Sequence, residues 1–165
     1  MTLRKAEHKD LPRVVEIYNS SIESRLSTAD TSPVTIESKQ DWFTLRPDTR
    51  PLLVYEKLEK IVGWASIEKF NDRPAYRNTA ELSVYIDQFH LGAGIGTVIL
   101  SEVVALLPCL GIKNAIAKIY SHNAASLNLF GKFGFKLWGE LPEVREMDGQ
   151  AYSVSILGLK VHPVG

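Results

Sequence analysis

The sequence has a single cysteine among its 165 residues, which excludes an internal disulfide. So few cysteines are typical of a reducing compartment, and we expect a cytoplasmic location. The four histidines are scattered, and no group of His, Cys, Asp and Glu has the spacing of metal ligands, so we expect no metal site. An excess of charge is also missing, because 19 basic and 19 acidic residues cancel. This balance argues against nucleic acid or an anionic membrane as a partner.

Long apolar runs are missing as well. No segment approaches the roughly 18 consecutive apolar residues of a membrane span. The N-terminal "MTLRKAEHKD" carries charges where a signal peptide has its apolar stretch. Repeats, low-complexity segments and linkers are absent from the sequence, so we expect one domain over residues 1–165 and no membrane association. Cys109 lies in "VVALLPCLGI", an apolar setting that predicts an inert core thiol.

What is present is an ordinary globular composition, 45% hydrophobic and 23% charged, with strand and helix patterns in irregular alternation. We expect strands at 2–6, 51–56, 60–70, 79–87, 113–121, 134–141 and 151–161, and helices at 9–24, 36–46, 95–108 and 123–133. This order predicts an α/β (α+β) fold, with a mixed central sheet flanked by helices on both faces in three layers. Asp10 and Asn123 are the expected N-caps of two helices, and Asp148-Gly149 is the expected hairpin turn.

The stretch "FHLGAGIGTVIL", residues 89–100, places three glycines between a predicted strand and a predicted helix. Unpaired backbone N–H groups converge at such a turn and the helix dipole favours negative charge, so the stretch can bind a phosphate. It can also serve for turning alone. A Walker loop does not fit, because Thr97 and Val98 follow Gly96 where Lys and Ser/Thr are needed. The dinucleotide fingerprint fails too, since it needs a glycine at position 97.

Two segments in order, "LGAGIG" (91–96) and "NAASLNLFGKFGF" (123–135), resemble the acetyl-CoA-binding core of the GCN5-related N-acetyltransferase (GNAT) superfamily. Outside this pair, "EIYNSSIES", "NDRPAYRNTAELSVYI" and "GFKLWGE" are similar to its phosphinothricin and methionine sulfone/sulfoximine acetyltransferase branch. The resemblance covers nearly the whole chain. It implies the GNAT fold, and transfer of an acetyl group from acetyl-CoA to the amine of a small amino-acid-like acceptor. Homodimers are common in this branch, which makes a homodimer an expectation for this chain.

The resemblance also implies roles for individual residues. Glu81 matches the carboxylate that acts as the base, and a backbone N–H near Val84 matches the oxyanion donor. The substrate side is represented by Arg73, whose planar fork suits a carboxylate, and by Tyr76. The implied coenzyme A contacts lie on one strand, the glycine loop and the following helix: Val84, Tyr85, Ile86, Leu91, Gly92, Ala93, Gly94, Ile95, Gly96, Thr97, Asn123, Ser126 and Phe130.

Each of these residues also has a plain structural reading. Glu81 can be an exposed carboxylate at a strand end, and Arg73 and Tyr76 can be surface polarity in a loop. Asn123 caps its helix whether or not it binds coenzyme, and Ser126 can be a first-turn hydroxyl. The three tryptophans, listed together because each is expected in the core or in a pocket wall, are Trp42, Trp64 and Trp138.

Two positions depart from the family pattern. Leu91 stands where Arg or Gln is usual, which removes a charge-assisted phosphate contact typically worth about 1.5–3 kcal/mol. Phe130 stands where many relatives place a hydroxyl or imidazole that protonates the departing thiolate. A thiol of pKa about 8.5 can leave as thiolate without that donor. Tyr120, Tyr85 or a water near Asn123 can otherwise supply the proton.

Two further interpretations stay open from the sequence. The acceptor can be a polyamine, an antibiotic or a protein amine, with the loops at 27–33 and 70–77 deciding between them. A non-catalytic acyl-CoA-binding module is the alternative from a different class, and Leu91 and Phe130 make it conceivable. No Cys or Ser is placed as a covalent nucleophile, so a catalytic protein would use direct attack in a ternary complex.

Overall fold

A single sheet holds all seven strands found in residues 2–163, the part of the chain that the computed structural model describes. The strands are β1 (Thr2–Lys5), β2 (Leu52–Lys57), β3 (Lys60–Lys69), β4 (Thr79–Ile86), β5 (Asn114–Tyr120), β6 (Lys136–Met147) and β7 (Gln150–Lys160). The helices are α1 (Leu11–Ser20), α2 (Gln40–Thr44), α3 (Ile95–Leu106) and α4 (Ala124–Gly131). The strand order is β1-β2-β3-β4-β5-β7-β6, and only the β4–β5 pair is parallel.

Two apolar cores on opposite faces of the sheet give the molecule three layers. On one face α3 and α4 bury residues such as Ile99, Leu100 and Phe130 against the sheet. On the other face α1 buries Val14 and Ile17 against Trp64, with α2 alongside. Successive side chains of a strand alternate between these faces, so β2 sends Leu53 and Tyr55 into the first core and Leu52 and Val54 into the second. The predicted fold class is confirmed.

The parallel pairing of β4 with β5 is short, and this decides where a ligand can enter. The register has three partners only, from Thr79 opposite Asn114 to Glu81 opposite Ile116. Beyond Glu81 the two strands separate, although β4 stays paired with β3 as far as Ile86. A wedge therefore opens in the middle of the sheet, bounded by the second half of each strand.

The start and the end of α1 differ from the prediction. Asp10 makes no side-chain cap, because a 3-10 turn over His8–Asp10 already gives it helical backbone angles. Its buried carboxylate instead accepts hydrogen bonds from Arg4 at 2.7 Å and from the Glu7 amide at 2.7 Å. The helix ends at Ser20 and not at residue 24. Serine hydroxyls in this segment bond back to preceding carbonyls and compete with the helical ladder, as Ser21 does with Tyr18 O at 2.6 Å.

The predicted boundaries of the second helix, the sixth strand and the third helix were also wrong. The second helix is only Gln40–Thr44, preceded by a 3-10 turn over Glu37–Lys39. The sixth strand continues past residue 141 through Pro142, which an edge strand tolerates, with a register shift between Leu141 and Arg145. Cys109 is exposed, because α3 ends at Leu106 and the turns after it carry the thiol to the surface.

Two local signals read from the sequence are confirmed. Asn123 caps α4, and its side-chain oxygen accepts from the Ser126 amide at 3.2 Å. Asp148 and Gly149 turn the β6–β7 hairpin with φ values of 54° and 77°, which is the left-handed pair that an Asp-Gly turn favours.

Asp87, which follows β4, ties the end of the wedge strand to α1. Burial on its own would raise the pKa of this carboxyl, but hydrogen bonds from His90 and Arg13 outweigh burial and hold it below its usual range. Arg13 donates to it at 2.9 Å. The stabilisation is present above the unfolded pKa of about 4 and is lost as pH falls through the lower folded pKa.

We therefore expect Asp87→Asn to lower the free energy of unfolding by about 1–3 kcal/mol at pH 6. The difference from the wild type should shrink as the pH is lowered below about 4, because protonated Asp87 loses the same interaction. Urea unfolding at pH 6 and near pH 3 measures both values. An equal difference at the two pH values would contradict the ionic role of Asp87.

Candidate active site

The glycine loop connects β4 to α3 through left-handed backbone. A 3-10 turn over Gln88–His90 follows the strand, and Gly92 and Gly94 then adopt φ values of 76° and 77°. Side chains rarely adopt this conformation, so glycine is needed at both positions. Gly94 is the residue before α3, and no side chain caps that helix. The first backbone N–H groups of α3 are therefore not occupied by a capping side chain and can donate to a ligand.

Six consecutive amides of this loop, at positions 92–97, donate to no other group within residues 2–163. The first amide of the helix with a partner in the chain is that of Val98, which donates to Gly94 O at 3.2 Å. Unpaired N–H groups at a helix start can bind an anion, which is the arrangement that the predicted phosphate site requires. Leu91 is 67% exposed at the front of the loop and brings no charge to it.

Gly96 sets how closely α3 approaches α4. A Cβ at this position would lie 3.1 Å from Leu129 Cδ2, tighter than ordinary van der Waals contact. Glycine at position 96 therefore lets α3 pack closely on α4, which brings the two sequence segments that predicted coenzyme binding, 91–96 and 123–135, together. We call the unpaired amides at 92–97 the cradle.

We expect Gly94→Val to raise the KM for acetyl-CoA by about 10-fold or more, because a β-branched residue at φ 77° costs about 1–3 kcal/mol. No atom lies within 4 Å of a Cβ there, so the effect is on the backbone of the cradle and not a clash. Gly139→Val is the matched control, since Gly139 has the same free space without a positive φ. Equal KM values for the two variants would refute a role of the left-handed loop.

A cavity of about 380 Å³ runs from the glycine loop to the cap of α4. It is lined by eight of the residues predicted to bind the cofactor: Val84, Tyr85, Ile86, Leu91, Gly92, Asn123, Ser126 and Phe130. The amide nitrogen of Asn123 donates to Leu26 O at 3.0 Å and to Ser126 Oγ at 3.1 Å. The first bond joins the start of α4 to the segment after α1, and the second lies within the first turn of α4. The remaining predicted positions, 93–97, do not line this cavity, and the side chain of Ile95 is buried in the core.

A second, smaller cavity of about 60 Å³ occupies the wedge itself. It shares Val84, Asn123 and Phe130 with the first cavity, and Lys118 and Arg145 also line it. Val84 lies beyond the last β4–β5 pair, so it is in the part of the strand that faces the opening.

Glu81 is the last residue of β4 before the wedge opens. Its carboxylate is 25% exposed and forms an ion pair with Lys118 Nζ at 3.2 Å. Glu68 is its direct cross-strand partner on β3. The structure thus places Glu81 at the edge of the wedge cavity, next to a residue that lines it.

Arg73 and Tyr76 are not brought to the cavities described above. Both side chains are exposed, and Tyr76 packs against Phe70 with ring centroids 5.5 Å apart. Arg73 is the residue before a 3-10 turn over Pro74–Tyr76, and its backbone amide donates to Asn71. The loop lines none of these cavities, and its neighbour Phe70 contacts the wedge residue Lys118, whose Nζ lies 5.8 Å from the ring centroid.

A third cavity, of about 290 Å³, adjoins the wedge at Ser83 and Tyr85 and was not predicted from the sequence. Its walls are aromatic and its polar groups are Lys39, Glu68 and serine hydroxyls. The rings that form it are Tyr18, Trp42, Trp64 and Tyr85. Trp42 Nε1 donates to Glu68 Oε1 at 2.7 Å, which fixes the carboxylate in the wall. The only signal in the sequence was the expectation that Trp42 and Trp64 form core or a pocket wall.

The two tyrosines considered as proton donors are both engaged. Tyr120 is buried, and its hydroxyl donates towards Thr28 O at 3.0 Å and Met147 Sδ at 3.3 Å. Tyr85 donates to Ser27 O at 3.2 Å, and burial raises the pKa of its hydroxyl. Neither is an available acid in this arrangement, because each proton is already shared with a carbonyl.

The fold and the glycine loop agree with the family to which the sequence is similar. The model of the Acetyltransferase (GNAT) family matches residues 12–135. The chain belongs to the GNAT acetyltransferase family. The predicted family and enzyme class are therefore confirmed, and the glycine loop and the capped α4 both lie within the matched region.

Relatives of this GNAT acetyltransferase cover nearly its whole length. "Putative phosphinothricin acetyltransferase YwnH" of Bacillus subtilis (strain 168) is 50% identical over 159 residues, 96% of this chain and 98% of the relative. The L-methionine sulfoximine/L-methionine sulfone acetyltransferase of Pseudomonas paraeruginosa is 29% identical, over 98% and 95% of the two chains.

Among solved structures, a GNAT superfamily phosphinothricin acetyltransferase from Sinorhizobium meliloti in complex with AcCoA matches with a TM-score of 0.90. It is 28% identical, and the match covers 97% of this chain and 88% of that one. The coenzyme in that complex agrees with the predicted co-substrate. Within residues 2–163, no helix is long and apolar enough to cross a membrane, and no group of three or more His, Cys, Asp or Glu is arranged to hold a metal.

Proposed function

We propose that this protein transfers the acetyl group of acetyl-CoA to the α-amine of a small amino-acid-like acceptor of the phosphinothricin or methionine sulfone/sulfoximine type. The observation that carries the proposal is the run of six unpaired amides that leads, through one cavity, into a wedge edged by Glu81. The names of the relatives supply the acceptor class. The adjoining cavity of about 290 Å³ suits a small acceptor.

Acetyl-CoA supplies an activated thioester, and the residues of the wedge do the remaining work. An amine attacks only as its neutral form, so Glu81 takes a proton from the acceptor ammonium, directly or through a water. The backbone N–H near Val84 donates to the carbonyl oxygen as negative charge develops on it. The wedge cavity has no cysteine in its lining, and direct attack of the amine is the proposed route.

Phe130 decides how the thiol product leaves. Its hydrocarbon side chain has no proton to donate, and the residue is 4% exposed and packs edge-on against Phe135, with ring centroids 5.1 Å apart. We propose that coenzyme A departs as the thiolate, which a thiol pKa of about 8.5 makes inexpensive near neutral pH. A water near Asn123 and Ser126, which border the same cavity, assists its protonation.

The acceptor's side chain is proposed to enter the aromatic cavity. Tyr85 stacks on Trp64 with centroids 4.6 Å apart, so one wall is rigid and apolar. Lys39 Nζ lies 5.5 Å from the centroids of the Tyr18 and Trp42 rings and has no carboxylate partner within residues 2–163. An ammonium at this place suits the sulfone, sulfoximine or phosphinate oxygens that distinguish these acceptors.

The test is release of coenzyme A, followed with a thiol reagent, from acetyl-CoA and a panel of amines. The panel contains methionine sulfone, methionine sulfoximine and phosphinothricin, with polyamines and aminoglycosides as the competing classes. Turnover of the amino-acid analogues supports the proposal. Turnover of a polyamine or aminoglycoside alone would replace the acceptor class, and acetyl-CoA binding without any turnover would favour a binding module.

We also propose that the protein is a cytoplasmic homodimer. The single cysteine supports the reducing compartment. The edge strand β6 supports association, because the apolar side chains of Leu137, Leu141 and Val144 on it are 63%, 40% and 54% exposed. Light scattering after size-exclusion chromatography measures the mass directly, and a value near 18.4 kDa would contradict the dimer.

A further inference from the structure

Arg145 is a half-buried cation on β6 for which the sequence suggested no role. It faces β7 at the position opposite Tyr152, at the end of the register shift that begins at Leu141. Glu143 within that shift has a φ of 50°, so the strand is bent just before the arginine. The bend directs Arg145 towards the sheet centre, where its guanidinium carbon lies 4.9 Å from the centroid of the Tyr120 ring.

This position places Arg145 in the wedge, where acetyl group and acceptor must meet. Arg145 lines the same cavity as Val84, the residue near the proposed oxyanion donor, and Ser83, which continues into the aromatic cavity. Its positive charge also acts on the hydroxyls of Tyr18 and Tyr85. Burial raises the pKa of both hydroxyls, and the charge of Arg145 has a smaller, opposite effect. The guanidinium is therefore directed at the junction of both cavities.

Arg145 also lacks a partner, unlike the arginines that stabilise the fold. No hydrogen bond or ion pair of its guanidinium occurs within residues 2–163, where its contact is the π face of Tyr120. The arginines with carboxylate partners are Arg4 with Asp10 and Glu56, Arg13 with Asp87 and Glu16, Arg25 with Asp148, and Arg46 with Glu68. A planar guanidinium whose N–H donors are free at a cavity can bind a carboxylate through two parallel hydrogen bonds.

We propose that Arg145 binds the α-carboxylate of the acceptor, an inference that rests on the proposed function. In an α-amino acid the carboxylate is attached to the carbon that carries the amine. The cation that binds it must therefore lie in the same wedge as the base and the thioester. Arg73, which the sequence favoured for this contact, is exposed in a loop outside that wedge.

Neither of the two lysines near the site is suited to bind the α-carboxylate of the acceptor. Lys118 lines the wedge, but its ammonium is paired with Glu81 at 3.2 Å. Lys39 is unpaired, but it lies on the far cavity above Tyr18 and Trp42 and fits the distal oxygens of the acceptor. The acceptor is thus bound at three points, with its carboxylate on Arg145, its amine at the wedge and its side chain between the rings.

The test compares two acceptors that differ only in the carboxylate, methionine sulfone and 3-(methylsulfonyl)propylamine. We expect Arg145→Gln to lower kcat/KM for methionine sulfone by roughly 10- to 100-fold, the usual cost of losing a hydrogen bond to a charged group. Its kcat/KM for the amine without a carboxylate should change by less than about 3-fold. Arg145→Lys should keep part of the preference, since it retains the charge but not the fork. Lys136→Gln is the matched control, because it removes an exposed charge from the same strand outside the cavities, and it should leave both acceptors unchanged. Arg73→Gln tests the rival position.

The outcomes separate this inference from the proposed function. Equal losses on both acceptors in Arg145→Gln would overturn the carboxylate role and assign Arg145 to structure. If Arg73→Gln lowered kcat/KM for methionine sulfone and Arg145→Gln did not, the carboxylate would be bound by Arg73 in the loop. Absence of turnover of every amino-acid acceptor by the wild type would overturn the proposed function itself. Acetyl-CoA affinity of each variant, measured by calorimetry, shows whether the fold is intact.

Discussion

Replacing Glu81 with glutamine is expected to lower kcat by about 10²- to 10⁴-fold and to leave acetyl-CoA affinity unchanged. Glutamine keeps the size and the hydrogen-bonding oxygen of the side chain, but it cannot accept the ammonium proton. The cradle of amides at 92–97 lies on another segment, so coenzyme binding does not depend on this carboxylate. Steady-state kinetics and calorimetry measure the two quantities separately.

The pH dependence distinguishes a base from a structural carboxylate. At pH values above the pKa of the acceptor's own amine, the substrate is already neutral and needs no base; this pKa lies above the value of about 8 for a peptide α-amine, because the free carboxylate stabilises the ammonium. The deficit of the Glu81→Gln variant should therefore shrink as the pH is raised from 7 to 9.5. A deficit that stays constant across this range would indicate that Glu81 acts only through its ion pair with Lys118.

Glu102→Gln is the matched control for this variant. Glu102 is exposed on α3, outside the cavities described here, and its change to glutamine removes the same charge. Wild-type kcat in this control, together with loss in Glu81→Gln, assigns the effect to the site. Normal turnover by Glu81→Gln would remove Glu81 as the base and direct attention to Glu68, its cross-strand partner.

Trp64→Ala is expected to lower the free energy of unfolding by about 3–5 kcal/mol, the range for removing a buried tryptophan. The side chain is 3% exposed and stacks on Tyr85, and its Nε1 donates to Val14 O at 3.1 Å. The substitution opens a void between α1 and the sheet and leaves that helix without its bond to β3. Urea unfolding gives the change in free energy, and the acceptor's KM should rise because the cavity loses a wall.

Trp138→Ala tests whether burial is the cause. Trp138 is 45% exposed on the edge strand β6, where its indole covers Gly158. We expect a loss of about 1 kcal/mol or less, as for most surface substitutions. Similar losses for the two tryptophans would contradict the assignment of Trp64 to the core.

The differences between the predicted and the observed elements have a common cause. The apolar periodicity of residues 95–106 and the Asp-Gly pair at 148–149 are local signals, and both are confirmed. Asp10 looks like a cap because its residue type and position are right, but Arg4 on β1 takes its carboxylate. The thiol of Cys109 was assigned to the core from apolar neighbours, although the end of α3 decides its exposure. In both cases the tertiary placement, with Arg4 beside Asp10 and the turns after α3 at the surface, is not shown by the local residue pattern.

The sequence by itself determined the family, the order of elements and the cradle, because these depend on motifs of neighbouring residues. Glycines at 92 and 94 adopt the left-handed backbone that the motif requires, and Asn123 caps the helix that follows β5. Only the tertiary structure decided which side chains surround the wedge. Arg145 reaches it from β6 because β7 lies between β5 and β6 in the sheet and a bulge bends the edge strand. Such a juxtaposition follows from long-range strand pairing, which no local sequence pattern encodes.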